Sequence, residues 1–206
     1  MPEHSGTHID ALAHQAENLM LHGGVHVDSG VQTSAGFKVL GIDQMAPIVG
    51  RGILLDVAGD NRLEPEHEIG PDELERAAAD AGVAVREGDV VLVRTGYGSL
   101  WSQPEQYLRA AGVSGAGSRW LAERNVKAVG ADNVAWDVVG PTDPDLGVTL
   151  PGHVLLLVRA GIPIIENLNL EELAAAKVYQ FGFVCLPLKM RGATGSPVRP
   201  IAIAGT

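Results

Sequence analysis

Short apolar runs alternate with helical patterns along the chain from about residue 52 onward. A short apolar run bounded by turn residues is typical of a buried strand, and helices between such runs are typical of strand–helix–strand units. The alternation therefore predicts an α/β fold. Predicted strands lie at 53–58, 89–95, 126–131, 162–166, 178–188 and 198–203, and predicted helices at 71–82, 118–124, 152–160 and 170–176.

The length of the chain predicts a single domain. With 206 residues, 46% of them hydrophobic and 19% charged, the chain can bury one sizeable core and is short for two. We therefore expect one domain over residues 1–206. The glycine-rich stretch 23–47 predicts a long loop near the histidines rather than a linker between domains.

Charge and cysteine content narrow the choice of partners and compartment. The formal net charge is −10, without long blocks of like charge, which argues against nucleic acid or an anionic membrane as the main partner. We expect a small-molecule substrate and a homodimer or a higher homo-oligomer.

The one cysteine, Cys185, lies in an apolar run, which favours a buried thiol and excludes an internal disulfide. The start of the sequence lacks the pattern of a signal peptide, so we expect a cytoplasmic protein.

The segment HSGTHIDALAH, residues 4–14, holds three of the seven histidines and one carboxylate. Divalent cations such as Zn²⁺ and Mn²⁺ bind neutral imidazole and carboxylate, and a catalytic site needs about three protein ligands with one position left for water. His4, His8 and Asp10 supply such a set. The alternative is that these are ordinary histidines satisfied by hydrogen bonds.

The spacing leaves two local conformations open. Residues four apart share a face of a helical turn, whereas a bend at Gly6 would suit an irregular segment. His14 lies four residues beyond Asp10 and need not be a ligand. A neighbouring imidazole can instead take a proton from a bound water and return it to a leaving group, which makes His14 a candidate general base.

Two further candidates lie far from this segment. His153 precedes the apolar run 154–158, and Glu166 ends the apolar run 162–165. Ends of strands commonly carry functional side chains in α/β proteins, and a buried carboxylate needs a partner, which a cation would supply. The alternatives are an ordinary histidine at the start of a helix and a capping acid.

The pattern H-x-G-T-H-x-D followed by a further histidine resembles that of the metal-dependent cyclase-like hydrolases, a family that includes bacterial kynurenine formamidase and isatin hydrolase. The resemblance runs from about residue 4 to residue 203, and its end segment is closer to the isatin hydrolase branch. It implies a single domain with a mixed β-sheet or barrel-like core flanked by helices, the swivelling β/α fold. The matching residues are His4, Gly6, Thr7, His8, Asp10 and His14, and further matching segments are PIVGRGILLDVA, GDVVLVRTGYG, GADN, ENLNLEEL and GATGSPVRPIAI.

Carried over residue by residue, the resemblance implies metal ligands at His4, His8 and Asp10 and a general acid/base at His14. In members with two cations, Asp10, His153 and Glu166 would hold the second one. In members with one cation, His153 and Glu166 would orient water or substrate. The implied cofactor is Mn²⁺ or Zn²⁺.

The sequence departs from the family pattern in two places. Leu12 stands where many members have proline, which is tolerable because Leu12 is not a ligand. Members also usually carry some tens of residues before the first histidine. We therefore expect a fold that lacks its first strands, either through a shortened reading frame or with a neighbouring subunit in their place.

The resemblance implies hydrolysis of a small cyclic or formylated amide, like isatin or N-formylkynurenine, by an activated water. Two alternatives are a cyclase or dehydratase that acts on a hydroxylated or polyketide-like substrate, and a metal-binding subunit without catalytic activity. The sequence has no phosphate-binding loop, no G-x-S-x-G elbow and no dinucleotide fingerprint.

Overall fold

A computed structural model describes residues 4–205. The largest sheet has eight strands, which we number β1 to β8 in chain order. The strands are β1 His8–Asp10, β2 Ile48–Asp56, β3 Val90–Arg94, β4 Ala128–Ala131, β5 Ile164–Glu166, β6 Gln180–Cys185, β7 Gly195–Pro197 and β8 Ile201–Ile203. The helices are α1 Pro71–Asp80, α2 Pro104–Tyr107, α3 Gly115–Glu123, α4 Pro151–His153 and α5 Glu171–Ala175, and α4 continues as the π-helical segment Val154–Ala160.

Short elements fill the connections between these strands and helices. The 3₁₀ turns are His22–Gly24, Ile42–Gln44 and Tyr97–Leu100. Two-residue strands pair Met20–Leu21 with Val25–His26, Gln32–Thr33 with Gly36–Phe37, and Glu68–Ile69 with Gly112–Val113. The stretch 23–47 therefore forms a long connection with only short elements, as predicted.

The sheet is mixed and curls into a half-barrel. Its strand order is β7-β1-β5-β4-β3-β2-β6-β8. The four central strands, β5, β4, β3 and β2, are parallel, and β1, β6, β7 and β8 pair antiparallel at the two sides. This confirms the predicted α/β fold with a mixed sheet flanked by helices.

Both faces of the sheet are buried, which explains why the parallel strands are apolar throughout. One face packs against α1, α3 and the π-helical segment, and α1 contributes Leu74, Ala77 and Ala78. The other face packs beneath the stretches around Ile42 and Leu170. Cys185 is fully buried in this second cluster, as predicted.

Several predicted boundaries shift for identifiable reasons. Helix α3 begins at Gly115 rather than 118 because the Ser114 hydroxyl accepts a hydrogen bond from the Gly117 amide at 3.1 Å and caps the helix. Strand β8 begins only after Pro200, which cannot donate a ladder hydrogen bond, and it lies at the edge of the sheet. Between residues 4 and 205, every helix is too short or too polar to cross a lipid bilayer.

Candidate metal centre

Strand β1 directs His8 and Asp10 to the same side of the sheet. Successive side chains alternate along a strand, so Ile9 points the other way and is fully buried in the core. In the antiparallel register His8 lies directly opposite Glu166 of β5, which brings their side chains together. The helical alternative for this segment is therefore wrong, because residues 8–10 are extended.

A bend before β1 returns His4 to the same side. Gly6 makes the bend with a φ of +65°, a conformation that glycine adopts without strain. His4 Nε2 then lies 3.0 Å from Asp10 Oδ1. The ring lies against Gly195 of β7, where a Cβ atom would lie 2.8 Å from His4 Nε2.

His153 reaches the centre from the end of α4. Its Nε2 lies 3.7 Å from Asp10 Oδ2 and 3.4 Å from Glu166 Oε1. The π-helical segment begins at the next residue, and π-helical turns are frequent at functional sites. Burial of His153 is nearly complete, with 3% of its surface exposed.

His14 follows β1 and lies at the accessible side of the centre. Its Nε2 is 3.9 Å from Asp10 Oδ2, and its Nδ1 lies 3.3 Å from the Thr194 hydroxyl. The His14 side chain is 29% exposed and that of His4 is 30% exposed, whereas Asp10 is fully buried. Solvent therefore reaches the centre beside His4 and His14.

Two carboxylates join the four histidines. Asp10 Oδ1 faces His4 and His8, the latter with Nε2 at 3.6 Å, while Asp10 Oδ2 faces His14 and His153. Glu166 Oε2 lies 3.3 Å from His8 Nε2, and its other oxygen faces His153. The structure thus brings together all six residues that the sequence singled out. Which of them bind a metal stays a prediction.

The donor atoms of this centre fit a divalent cation. Among the described residues, His4 Nε2, both oxygens of Asp10 and Glu166 Oε1 are buried without a hydrogen-bond partner, although nitrogens and oxygens approach one another closely. Such orphaned groups are rare in folded proteins and call for an occupant. Imidazole nitrogens and carboxylate oxygens are the donors that Zn²⁺ and Mn²⁺ accept.

The donors form two sets that share Asp10. In each set the ligand atoms lie within 4.8 Å of one another: His4, His8 and Asp10 make one set, and Asp10, His14 and His153 make the other. The second set includes His14, which the sequence predicts as a proton carrier, and does not include Glu166, which the resemblance implies as a ligand. Glu166 instead contacts His8 of the first set and His153 of the second.

The charges of the centre shift the pKa values of its members. Burial favours the neutral form of Asp10, but contacts with His153 and His4 outweigh burial and hold the pKa of Asp10 well below its usual range. For His153, burial is outweighed by Asp10, Asp137 and Glu166, which raise its pKa well above the usual value. Burial lowers the pKa of His14, and the charges of His4 and His153 act in the same direction.

Sequence reasoning missed two residues that support the rings of His153 and His8 at their Nδ1 sides. The Asp137 carboxylate lies 2.8 Å from His153 Nδ1. His8 Nδ1 lies 2.9 Å from the Gly6 carbonyl oxygen, and the Asn167 amide donates to the same oxygen at 3.2 Å. Neither residue carries a sequence signal, although Asn167 directly follows Glu166.

A cavity of about 370 Å³ lies behind the loop between His4 and His8. Trp101 borders it and is 56% exposed, and its ring meets that of Tyr107 edge-on at 5.4 Å. The other two tryptophans, Trp120 and Trp136, are buried in the core. The cavity is lined by Gly6, Thr7, Gly98, Trp101, Tyr107, Asn167, Leu168 and Asn169.

Ser196 does not face this cavity or the donor atoms. Its hydroxyl accepts from the Leu188 amide and donates to the Pro197 carbonyl. The stretch 192–197 bends at Gly192 and then forms β7 against β1.

Comparison with known proteins places this centre in a family. The family model described as putative cyclase matches residues 1–138, which include four of the six residues at the centre. The chain belongs to the putative cyclase family. It is 30% identical over 207 residues to cyclase-like protein 3 of Oryza sativa subsp. japonica, covering 98% of this chain and 63% of that relative. It is also 28% identical to the kynurenine formamidase of Bacillus cereus, covering 89% of this chain and 76% of that enzyme.

Solved structures of putative cyclase relatives share the fold. A crystal structure described as a novel cyclase is 31% identical with a TM-score of 0.87, covering 99% of this chain and 71% of that one. Isatin hydrolase A from Labrenzia aggregata, bound to benzyl benzoate, is 25% identical with a TM-score of 0.71, covering 97% and 73%. A structure described as a potential metal-dependent hydrolase with cyclase activity is also 25% identical, with a TM-score of 0.61, covering 97% and 78%.

Proposed function

We propose that this chain hydrolyses the C–N bond of a small amide, cyclic like isatin or formylated like N-formylkynurenine. One observation carries the proposal: Asp10 is fully buried among four imidazole nitrogens, and neither of its oxygens has a hydrogen-bond partner among the described residues. A buried carboxylate in this state calls for a cation. The similarity to kynurenine formamidases and isatin hydrolases supports amide hydrolysis as the reaction.

One donor set and the family resemblance together suggest which residues would hold a cation. His4, His8 and Asp10 would hold one ion. Asp10, His153 and Glu166, the set that the resemblance implies, would hold a second, with Mn²⁺ or Zn²⁺ as the candidates. When bound, such an ion polarises a carbonyl group and lowers the pKa of a coordinated water to near neutrality.

His14 has the position of a proton carrier. In the reaction, the oxygen of water bonds to the amide carbonyl carbon, the C–N bond breaks, and a proton passes from the water to the leaving nitrogen. His14 lies at the solvent-accessible side, and its ring is held by the Thr194 hydroxyl at Nδ1. Its Nε2 is therefore free to take the proton and deliver it to the nitrogen.

The first test is metal analysis followed by an activity panel. Purified protein is dialysed against chelator, reloaded with Mn²⁺ or Zn²⁺, and assayed with a formylated anilide, isatin and a cyclic imide. We expect bound metal at close to a whole number per chain and turnover of at least one amide. A protein that binds neither ion would refute the proposal.

Two variants separate the metal ligand from the proton carrier. Asp10→Ala should lose both metal and activity, because Asp10 belongs to both donor sets. His14→Ala should keep most of its metal and lose about 10²–10⁴-fold in kcat, the usual loss of general acid–base catalysis. His67→Ala, outside the centre, is the control. Equal metal loss in the first two variants would show that His14 is a ligand.

A cyclase or dehydratase is the second candidate function. The observation that favours it is the name cyclase-like protein borne by the rice relative. Oxygen-18 water distinguishes the two reactions, because hydrolysis places the label in a new carboxylate and dehydration does not. A product that lacks the label and has lost water would replace our proposal with this one.

A metal-binding subunit without catalytic activity is the third candidate. The chain spans 63% of the length of the rice relative. Full metal occupancy with no turnover across the panel would favour this role.

The proposal extends to assembly and location. We propose a homo-oligomer in the cytoplasm. In support of assembly, Val49, Val184 and Ile201 lie directly opposite one another on neighbouring strands, and Val49 and Ile201 are more than half exposed. Light scattering coupled to gel filtration should give a dimer or larger, and Ile201→Lys should weaken it. A monomer at micromolar concentration would contradict this part.

A further inference from the structure

The environment of Asp137 is built around its two carboxylate oxygens. Oδ2 lies 2.8 Å from His153 Nδ1, and Oδ1 accepts a hydrogen bond from the Gly152 amide at 2.6 Å. Asp137 is 2% exposed, and both of its acceptors are engaged. One buried carboxylate therefore holds both the backbone and the ring at the end of α4.

The backbone around Asp137 is fixed from several directions. The Asn133 side chain binds the amide and the carbonyl of Trp136 at 2.9 Å each, and Trp136 has a φ of +57°. A Cβ atom at Gly112 would lie 2.3 Å from the Asp137 carbonyl carbon, and one at Gly152 would lie 2.8 Å from Asp137 Oδ1. These contacts restrict the position of the Asp137 backbone and carboxylate.

That position decides which nitrogen of His153 faces the donor set. A carboxylate accepts hydrogen bonds, so Nδ1 keeps its proton towards Asp137, and Nε2 is the nitrogen left to bind an electrophile. Nε2 points at Asp10 Oδ2 and Glu166 Oε1, which lie 3.7 and 3.4 Å away. Carboxylates behind ligand histidines fix the ring in this way at many metal sites.

We propose that Asp137 is a positioning residue that orients His153 and sets the affinity of the donor set around Asp10 Oδ2 for a divalent cation. This inference rests on the proposed function only in taking His153 as a ligand. Asp137 touches neither the cation nor the substrate. It acts through the ring of His153.

The test compares Asp137→Asn with a matched control. The asparagine has nearly the same shape, but its amide can accept only one of the two N–H groups and turns its own NH₂ group towards the other. The control is Asp89→Asn, since Asp89 is another buried carboxylate that accepts from a backbone amide, that of Arg86, and from the Arg51 side chain. Asp89 precedes β3, at the opposite end of the parallel strands from Glu166.

Zinc affinity and the ring protons of His153 are the readouts. In Asp137→Asn, a zinc dissociation constant should rise by about 10–100-fold, the usual loss on removing a partner behind a ligand. Asp89→Asn should bind zinc as the wild type does, although both variants lose stability. In ¹⁵N spectra of the zinc-loaded wild type, the proton on Nδ1 of His153 should be protected from exchange, and Asp137→Asn should lose that signal.

The outcomes separate this inference from the proposed function. Equal zinc affinity and an unchanged His153 signal in Asp137→Asn would overturn it, as would an equal loss of affinity in Asp89→Asn. Absence of amide hydrolysis in the wild type would overturn the proposed function and leave this inference standing, because activity is not a readout. A wild type that binds no zinc would overturn both.

Discussion

Gly195 shows how one residue without a side chain shapes the centre. The ring of His4 occupies the space that a side chain at position 195 would fill. The backbone of β1 is also close, because a Cβ atom at this position would lie 3.0 Å from the Ile9 carbonyl oxygen. The backbone oxygen cannot move without breaking the strand, so the imidazole would have to move instead.

We therefore predict that Gly195→Ala weakens metal binding. The added methyl group should displace His4 and raise the zinc dissociation constant by about 10-fold or more, comparable to the loss of a supporting contact at a metal site. Isothermal titration with zinc measures this change. Gly182→Ala is the control, because it also adds a methyl group to a strand of the sheet, where the nearest atom is 3.6 Å away. Similar zinc affinity in both variants would show that the contact with His4 is unimportant.

At the scale of elements, α3 supports the centre from a distance. Its Ser118 hydroxyl accepts a hydrogen bond from the indole nitrogen of Trp136, the residue before Asp137. The helix itself depends on Ser114, whose hydroxyl accepts from the Gly117 amide and donates to the Ile69 carbonyl. The N-cap thus joins α3 to the short strand Glu68–Ile69.

Loss of this cap should destabilise the protein. We predict that Ser114→Ala lowers the free energy of unfolding by about 1 kcal/mol, the typical value for an N-cap. For a chain of this length the change corresponds to a fall in Tm of about 2–4 °C. Ser114→Thr keeps the hydroxyl and should remain within about 1 °C of the wild type. An equal fall in both variants would point to packing of the side chain rather than to the cap.

The sequence predicts most helices and the central strands because their signals are local. The apolar runs around Leu54, Leu92 and Ile165 are visible in the sequence. Strand β1 is not, because His8-Ile9-Asp10 has one apolar residue between two polar ones. Strand β7 contains glycine and proline, which disfavour strands. These strands exist because β1 pairs with both β5 and β7, and such long-range pairing leaves no local pattern.

Some residues of the candidate site could be predicted from the sequence, and others could not. The histidines and Asp10 of residues 4–14 are close together in the sequence, so their grouping was predictable. His153 and Glu166 reach them only in the folded chain, because β5 pairs with β1 and the end of α4 lies beside this pair. Asp137 was not predictable, because it lies in an irregular stretch sixteen residues before His153, and only the folded chain shows its contact.

At the scale of the whole molecule, the centre connects parts of the chain that are far apart in sequence. Its donors come from the bend before β1, from β1 itself, from the turn after it, and from α4 and β5, over residues 4 to 166. An unfolded chain cannot hold these groups together, so a cation binds the folded state selectively. Binding energy at the centre is therefore also folding energy.

This linkage predicts a metal-dependent Tm. Zinc at 100 times its dissociation constant should stabilise the fold by about 2.7 kcal/mol, which for this length corresponds to a rise in Tm of about 5–10 °C. Thermal unfolding of the chelator-treated protein, with and without zinc, measures the shift.

The shift should also increase with the logarithm of the free zinc concentration, because that is the form mass action takes for a ligand that binds only the folded state. Asp10→Asn should abolish it, since the amide removes the charge shared by both donor sets. His67→Ala should retain it, because His67 pairs with Glu73 on α1, outside the centre. A shift that survives in Asp10→Asn would mean that zinc binds elsewhere on the protein, and the metal centre would then have to be assigned to other residues.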